Sequence, residues 1–252
     1  MNLTKLDFPD FEQEKLKNLN HLFSAWYTKA KNQSFENEKS CDDIVFDGFY
    51  PYYSAQACKI LFIGRESLDM TGNHYLDCLH SCYEKGKVGN RTLNQSQFHA
   101  LMLKIAYGLN NNNCPWLKIP AAKQIGETFA TETGISFAFM NLSKFSNDSG
   151  HYKSDWPLID NFISSFTNQA ENFFNTEIEI IDPDIIVTMN LEQRLEALGE
   201  RTSLEYTPNA VYYKIKCGKK SILLMDLYHF SAAKNHEDTF YTPILRGLEK
   251  YA

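Results

Sequence analysis

The chain has 252 residues, 43% of them hydrophobic and 14% aromatic, which is the composition of a folded globular protein and not of a disordered one. A net charge of −6 and a pI near 5.7 argue against broad nonspecific nucleic-acid binding, because phosphate neutralisation supplies that affinity, yet they leave room for a local basic face. Six cysteines suggest no disulfide framework, and Cys78 and Cys82 lack the second pair a zinc site needs, so reduced thiols in a cytoplasmic protein are expected. Met1 to Asp10 has no signal-peptide core, and no run approaches the ~18 apolar residues of a membrane span.

In chain order, residues 11–31 predict an amphipathic helix, with Leu16, Leu19, Leu22, Phe23 and Trp26 at helical spacing. Residues 32–43 read as polar loop, and the aromatic stretch from Asp47 to Tyr53 is broken by Pro51. Four short apolar runs predict buried parallel strands: Lys59–Gly64, Ser136–Met140, Asp184–Met189 and Ser221–Asp226. Helical patterns lie between and after them, at about 93–109, 121–131, 155–178, 191–198 and 238–250. Val211–Lys216 predicts a hairpin with the last run through Gly218, adding an antiparallel edge strand. The expected fold is therefore a three-layer α/β/α domain on a mostly parallel four-stranded sheet. A single domain over 1–252 is expected, with an N-terminal helical extension over about 1–45.

Ligands of open α/β sheets bind beyond the carboxyl ends of the strands, so the residues after each run carry the functional information. The first run empties into Gly64-Arg65-Glu66-Ser67 and continues to Thr71-Gly72-Asn73-His74-Tyr75. The second empties into Asn141-Leu142-Ser143-Lys144, the third into Asn190, and the fourth into Leu227-Tyr228-His229-Phe230-Ser231. The first loop lacks the further glycines of a dinucleotide fingerprint. Gly218-Lys219-Lys220-Ser221 precedes a strand and reads as a turn, not as a phosphate loop, and no Gly-X-Ser-X-Gly elbow is present.

These loops, in this order, resemble those of the uracil-DNA glycosylase superfamily. Ile63-Gly64-Arg65-Glu66-Ser67 resembles its first motif, strand-Gly-X-(Asp/Asn/Ala)-Pro, and Tyr228-His229-Phe230-Ser231 its last, strand-His-Pro-Ser. Asn141-Leu142-Ser143-Lys144 and Thr71–Tyr75 resemble the Asn-Val-Val-Lys and Thr-Gly-X-Pro-Phe segments of the thermophilic family 4 type. Asp182–Val187 is similar to the entry of the family's third strand, so the likeness spans roughly residues 59–235. Both signature prolines are replaced, by Ser67 and Phe230, and the iron–sulfur cysteines of the family 4 type have no counterpart before Gly64.

The resemblance implies a monofunctional DNA glycosylase, without metal or cofactor, that extrudes uracil or another altered base and hydrolyses its N-glycosidic bond. It implies catalytic roles for Glu66, directing water, and His229, donating to a base carbonyl as it becomes an oxyanion. Asn141 would read the base edge, Tyr75 would stack on the base, and Gly64, Arg65 and Ser67 would line the pocket. Lys144, Ser231 and Lys234 would meet phosphates of single- or double-stranded DNA. Glu66 would otherwise pair with Arg65 or cap a helix, Asn141 would hold a turn, Tyr75 would pack in the core, His229 would be a satisfied structural group, and Lys144 and Lys234 would be ordinary solvated charges. The missing prolines and the acidic charge favour the alternative, a glycosylase-like nucleotide- or nucleic-acid-binding protein without hydrolysis. A monomer is expected.

Overall fold

The computed structural model describes residues 4–33, 35, 38–167 and 171–252. It is an α/β protein in which strands β1 (Gly48–Phe49), β2 (Ile60–Gly64), β5 (Ala138–Asn141), β6 (Ile185–Met189), β7 (Arg201–Tyr206), β8 (Ala210–Cys217) and β9 (Lys220–Leu227) form one sheet, while β3 (Lys87–Val88) and β4 (Arg91–Thr92) pair separately. The seven strands lie in the order β1-β5-β2-β6-β9-β8-β7. The four runs read from the sequence are its central strands β5, β2, β6 and β9, all mutually parallel.

The expected strand count is corrected to seven. The β8–β9 hairpin turns at Gly218, as its φ of +57° requires, but β7 continues the antiparallel flank, and β1 pairs with β5 on the other edge. Neither outer strand announces itself in sequence: β1 is two residues long, and β7 lies largely open to solvent, so no apolar alternation marks it. Between Ser203 and Glu205 the β7–β8 register shifts at a bulge.

Side chains of each buried strand divide between two cores, as the two-residue period of a strand demands. Ile60 and Phe62 face one layer with Phe137, Phe139, Val187 and Met225; Leu61 and Ile63 face the other with Met140, Ile186 and Leu224. The first layer is built from α2 (Tyr75–Glu84), α3 (Gln97–Asn110), α4 (Ala122–Gly126) and α7 (Thr242–Tyr251). The second is built from α1 (Gln13–Lys31), α5 (Trp156–Phe166) and α6 (Phe173–Ile181). Trp26 of α1 is fully buried among Phe162, Phe166, Phe173 and Phe174, so the N-terminal helix is part of this layer.

Several helix boundaries differ from expectation for local reasons. The span 155–178 divides into α5 and α6, because Asn172 caps α6 by accepting from the Asn175 N–H. The segment 191–198 is a 3₁₀ turn, and α4 is only five residues long. Helix α2 is not among the expected helices, although Tyr75, Leu76, Leu79 and Tyr83 mark its buried face. No described helix is long and apolar enough to cross a membrane.

Candidate functional site at the strand ends

From β2 the chain moves outward to β5 and then crosses back to β6 on the opposite side. This reversal opens a crevice at the carboxyl ends of β2 and β6, where ligands of open sheets bind. The loops after β2 and β5 extend the pairing of their strands beyond the sheet. Leu142 N–H donates to Gly64 O (3.2 Å), Ser143 N–H to Arg65 O (2.8 Å) and Asn147 N–H to Ser67 O (2.9 Å). Residues 64–67 are thereby held against 141–147.

Gly64 is needed here for space. A Cβ on it would lie 2.7 Å from Asn141 Oδ1 and 2.9 Å from Phe139 Cζ. Gly64→Ala is expected to displace the Asn141 amide and to cost about 1–3 kcal/mol, as overpacking of a dense interior does; chemical denaturation would read this, and an unchanged midpoint would refute it.

Asn141 ends β5 and is 3% exposed. Its backbone N–H donates to Asp47 Oδ2 (2.7 Å), while its side-chain amide makes no hydrogen bond to a described residue. An asparagine amide left unengaged beside the crevice presents one donor pair and one acceptor to a ligand.

Glu66 is half-buried. Its Oε1 accepts from the Asp155 N–H (3.1 Å), and its Oε2 is buried without a partner among the described residues. Burial raises its carboxyl above the usual glutamate range, even though the Asp155 N–H, the Asn147 side chain and the Arg65 guanidinium each favour the anion. The flanking residues share this incompleteness: Arg65 Nε and Ser67 Oγ are also buried without partners. Arg65 is otherwise well held, donating to Ser154 Oγ (3.1 Å) and Asn190 O (3.3 Å), with its guanidinium 4.6 Å from the Trp156 ring centre.

His229 follows β9 and packs against Phe98, with ring centres 5.6 Å apart. The Ser231 N–H donates to its Nδ1 (3.2 Å), so the neutral ring carries its proton on Nε2. Burial, assisted by the nearby Arg65 charge, pushes its pKa down to about 4, so the ring is neutral at pH 7. Ser231 thus orients the imidazole through its backbone, and its side chain is exposed. Lys234 is also exposed, its Nζ 4.7 Å from the ring centre of Tyr228.

Two expected ligand contacts are placed elsewhere. The Lys144 side chain is wholly buried, with Nζ 2.6 Å from Asp47 Oδ1 and 2.9 Å from Glu177 Oε2, so it is not available to a phosphate. Three ionisable groups out of water must satisfy one another, and this lysine is committed to that. Tyr75 begins α2, is 6% exposed, and stacks on Phe139 at 4.7 Å and 11°. A ring face already covered by Phe139 is not open to a base.

Other contributors escape a reading by strand ends. Gln97 Nε2 donates to both Phe230 O and Ala232 O (2.7 Å each), fixing the loop that bears His229. Phe98, half-buried, lies 5.6 Å from His229 and 6.2 Å from Phe139 between ring centres. Both open α3, where only a helix start is legible from sequence. Asp226, inside β9, accepts from Thr188 Oγ1 (2.7 Å) and from the Leu191 (3.1 Å) and Glu192 (3.3 Å) N–H groups. It thereby holds the turn after β6, in which Asn190 and Glu192 both take positive φ.

His99, next to Phe98, is bonded through Nδ1 to Tyr83 Oη (2.9 Å), and burial lowers its pKa to about 4. An unfolded histidine binds its proton near pH 6.5, so between pH 6.5 and 4 the unfolded state binds more protons than the folded one. The contribution of His99 is therefore complete above pH 6.5 and is lost as the pH falls to 4. The loss is about 3 kcal/mol for a shift of this size. Urea titrations of the wild type and His99→Gln at pH 7 and pH 4.5 would isolate it; equal pH dependence in both proteins would refute it.

One open hollow lies beside these features and another at the far end of the sheet. One of about 540 Å³ adjoins Glu66 and is lined by Asn147, Ser149, His151, Tyr152, Lys153 and Asp155. A larger one of about 1040 Å³ lies by the outer strands, between Asn175, Arg201, Tyr213 and Lys216. The strand-end crevice is the better candidate despite its smaller hollow, because unengaged polar groups and shifted titrations converge there. Among the described residues no cluster of His, Cys, Asp or Glu could hold a metal ion. The chain matches no protein-family profile, no curated protein and no solved structure.

Proposed function

We propose that the protein is a DNA glycosylase that hydrolyses the N-glycosidic bond of an extruded uracil or other altered base. The observation that carries this reading is the placement of Glu66, Asn141 and a neutral His229 at the carboxyl ends of three parallel strands of one sheet. An acid, a base-edge reader and a neutral hydrogen-bond donor are the groups this reaction uses.

Breaking the bond leaves positive charge on the sugar and negative charge on the departing base. His229 Nε2–H donates to a base carbonyl oxygen as that oxygen gains charge; a preorganised donor of this kind is worth roughly 2.7–4 kcal/mol. The Asn141 amide pairs with the base edge, and Phe98 offers an aromatic surface beside it. Glu66, once ionised, offsets the sugar cation and accepts the proton of the water that adds to the anomeric carbon. The base leaves with the bonding pair and takes a proton from solvent. The support is chemical fit together with the resemblance of the strand-end motifs.

Oligonucleotides each carrying one uracil, hypoxanthine, xanthine or hydroxymethylcytosine, with or without a sugar on the last, would be incubated with the protein and then treated with alkali. Strand scission that disappears in His229→Ala is the expected result. No scission on any substrate, with base-dependent binding retained, would replace this reading with that of a non-hydrolytic binding protein.

A further inference from the structure

Arg65 spends its donors on two other loops. Its Nη1 donates to Ser154 Oγ (3.1 Å) and its Nη2 to Asn190 O (3.3 Å), and its guanidinium lies 4.6 Å from the Trp156 ring centre. Ser154 and Trp156 belong to the segment that leads from β5 into α5, and Asn190 to the turn after β6. Each of these anchors is fixed in its own right. The same indole lies 3.9 Å from the guanidinium of Arg194, which donates through Nε (2.6 Å) and Nη2 (2.8 Å) to the two oxygens of Asp160. The turn that supplies Asn190 O is held by Asp226 of β9 through the Leu191 and Glu192 N–H groups. One side chain thus ties together the loops that follow β2, β5 and β6.

Two consequences reach Glu66 and His229. Ser154 precedes Asp155, whose N–H donates to Glu66 Oε1 (3.1 Å), so the bond from Arg65 steadies the segment that orients Glu66. The guanidinium is also a permanent positive charge in a half-buried place. It stands next to Glu66 in sequence and close enough to His229 to oppose a second positive charge on that ring. The charged groups facing Arg65 are Glu66, Asp226 of β9, and Glu192 and Arg194 after β6; Asp155 faces Glu66 from the start of α5. Among the described residues the hydrogen bonds of Arg65 go to a hydroxyl and a carbonyl, not to any of these carboxylates. A cation placed so favours an ionised Glu66 and a neutral His229, the forms the proposed reaction uses.

We propose that Arg65 is the positioning residue of this site: its planar fork clamps the loops after β5 and β6 to the loop after β2, and its fixed charge serves Glu66 and His229 together. Lysine could not replace it in full, because a single ammonium on a flexible stem supplies the charge without the rigid, two-directional geometry. This inference rests on the roles that the proposed function gives to Glu66 and His229.

The test uses two measurements that need no turnover: an NMR titration of the His229 ring and hydrogen exchange at the Asp155 amide. Arg65→Gln, which removes the charge, is expected to raise the His229 pKa from about 4 by about one unit. Arg65→Lys keeps the charge and should leave that titration close to the wild type. Its Asp155 amide should nevertheless exchange about tenfold faster, as loss of an ordinary hydrogen bond or two implies. Ser154→Ala, which removes one arm of the clamp and no charge, should speed the same amide and leave His229 unmoved. Arg65→Lys and Ser154→Ala decide the clamp even should Arg65→Gln not fold. A His229 titration unchanged in Arg65→Gln, or wild-type exchange in both Arg65→Lys and Ser154→Ala, would overturn the proposal. The expected shifts in a protein that excises no base would sink only the glycosylase reading. Base excision by Arg65→Gln with the pH dependence of the wild type would sink only this inference.

Discussion

Lys144→Ala is expected to destabilise the protein by about 3–5 kcal/mol, the cost of leaving buried charge without its partner. Lys144, Asp47 and Glu177 come from the loop after β5, the segment before β1 and helix α6, and all are essentially out of water. The lysine ammonium also lies 5.0 Å from the Trp26 ring centre and 5.6 Å from that of Phe23. Burial first, and then the neighbouring Asp47 charge, hold the Glu177 carboxyl well above the carboxylate range against the opposing pull of Lys144. The cluster therefore sets a carboxyl that resists ionisation beside the buried ammonium. Truncating the lysine leaves two buried carboxyls without the ammonium that both of them face. Asp47 also accepts the Asn141 N–H, so disorder here reaches the crevice. Replacing all three together, as Lys144→Met, Asp47→Asn and Glu177→Gln, should recover most of the loss, since no charge then remains to be compensated. Urea denaturation of both variants checks this; a loss under 1 kcal/mol in Lys144→Ala would mean that the three groups do not depend on one another.

Glu66→Gln is expected to separate stability from activity. Turnover should fall by about 10²–10⁴, the usual contribution of a positioned proton acceptor. Stability at neutral pH should hold or rise, because the raised pKa of Glu66 means that the fold opposes its ionisation. The folded state keeps the proton to higher pH than the unfolded chain does, so the wild type loses stability as pH rises from the ordinary glutamate range through the raised value. The amide cannot ionise and lacks this loss. The wild-type rate should climb with pH over the same interval, since the working form is the anion, and then level off. Thermal melts and rate–pH profiles of the pair check both signs. A glutamine variant that is both active and less stable would reduce Glu66 to a structural group.

Sequence periodicity revealed the elements whose burial is continuous. Runs such as Lys59–Gly64 and Asp184–Met189 can hardly be anything but interior strands, and their order along the chain already located Gly64, Glu66, Asn141 and His229 at one end of a sheet. Contacts decided by distant partners were not legible. Nothing near Lys144 in sequence distinguishes it from a solvated lysine; Asp47 lies 97 residues away, and Glu177 is on helix α6. Tyr75 has the right residue type for stacking on a base, but only its position at the start of α2 shows that Phe139 occupies that face. Gln97 and Phe98 sit outside the strand-end loops altogether and reach His229 because α3 begins beneath it. Side-chain identity thus pointed to the crevice, and tertiary packing selected which groups remain available within it.

The outer strands bear on how the molecule behaves when crowded. An open sheet exposes unpaired peptide groups along its borders, and long flat borders recruit strands from other molecules into aggregates. Here one border, β1, is two residues long. The other, β7, is interrupted by the bulge at Ser203/Glu205 and carries Arg201 and Glu205, which are tied to Glu196 and Arg246 of their own chain. A short rim and a kinked, charged one make poor templates, so the strongly apolar strands at the centre stay shielded from fibril-type growth even at high protein concentration.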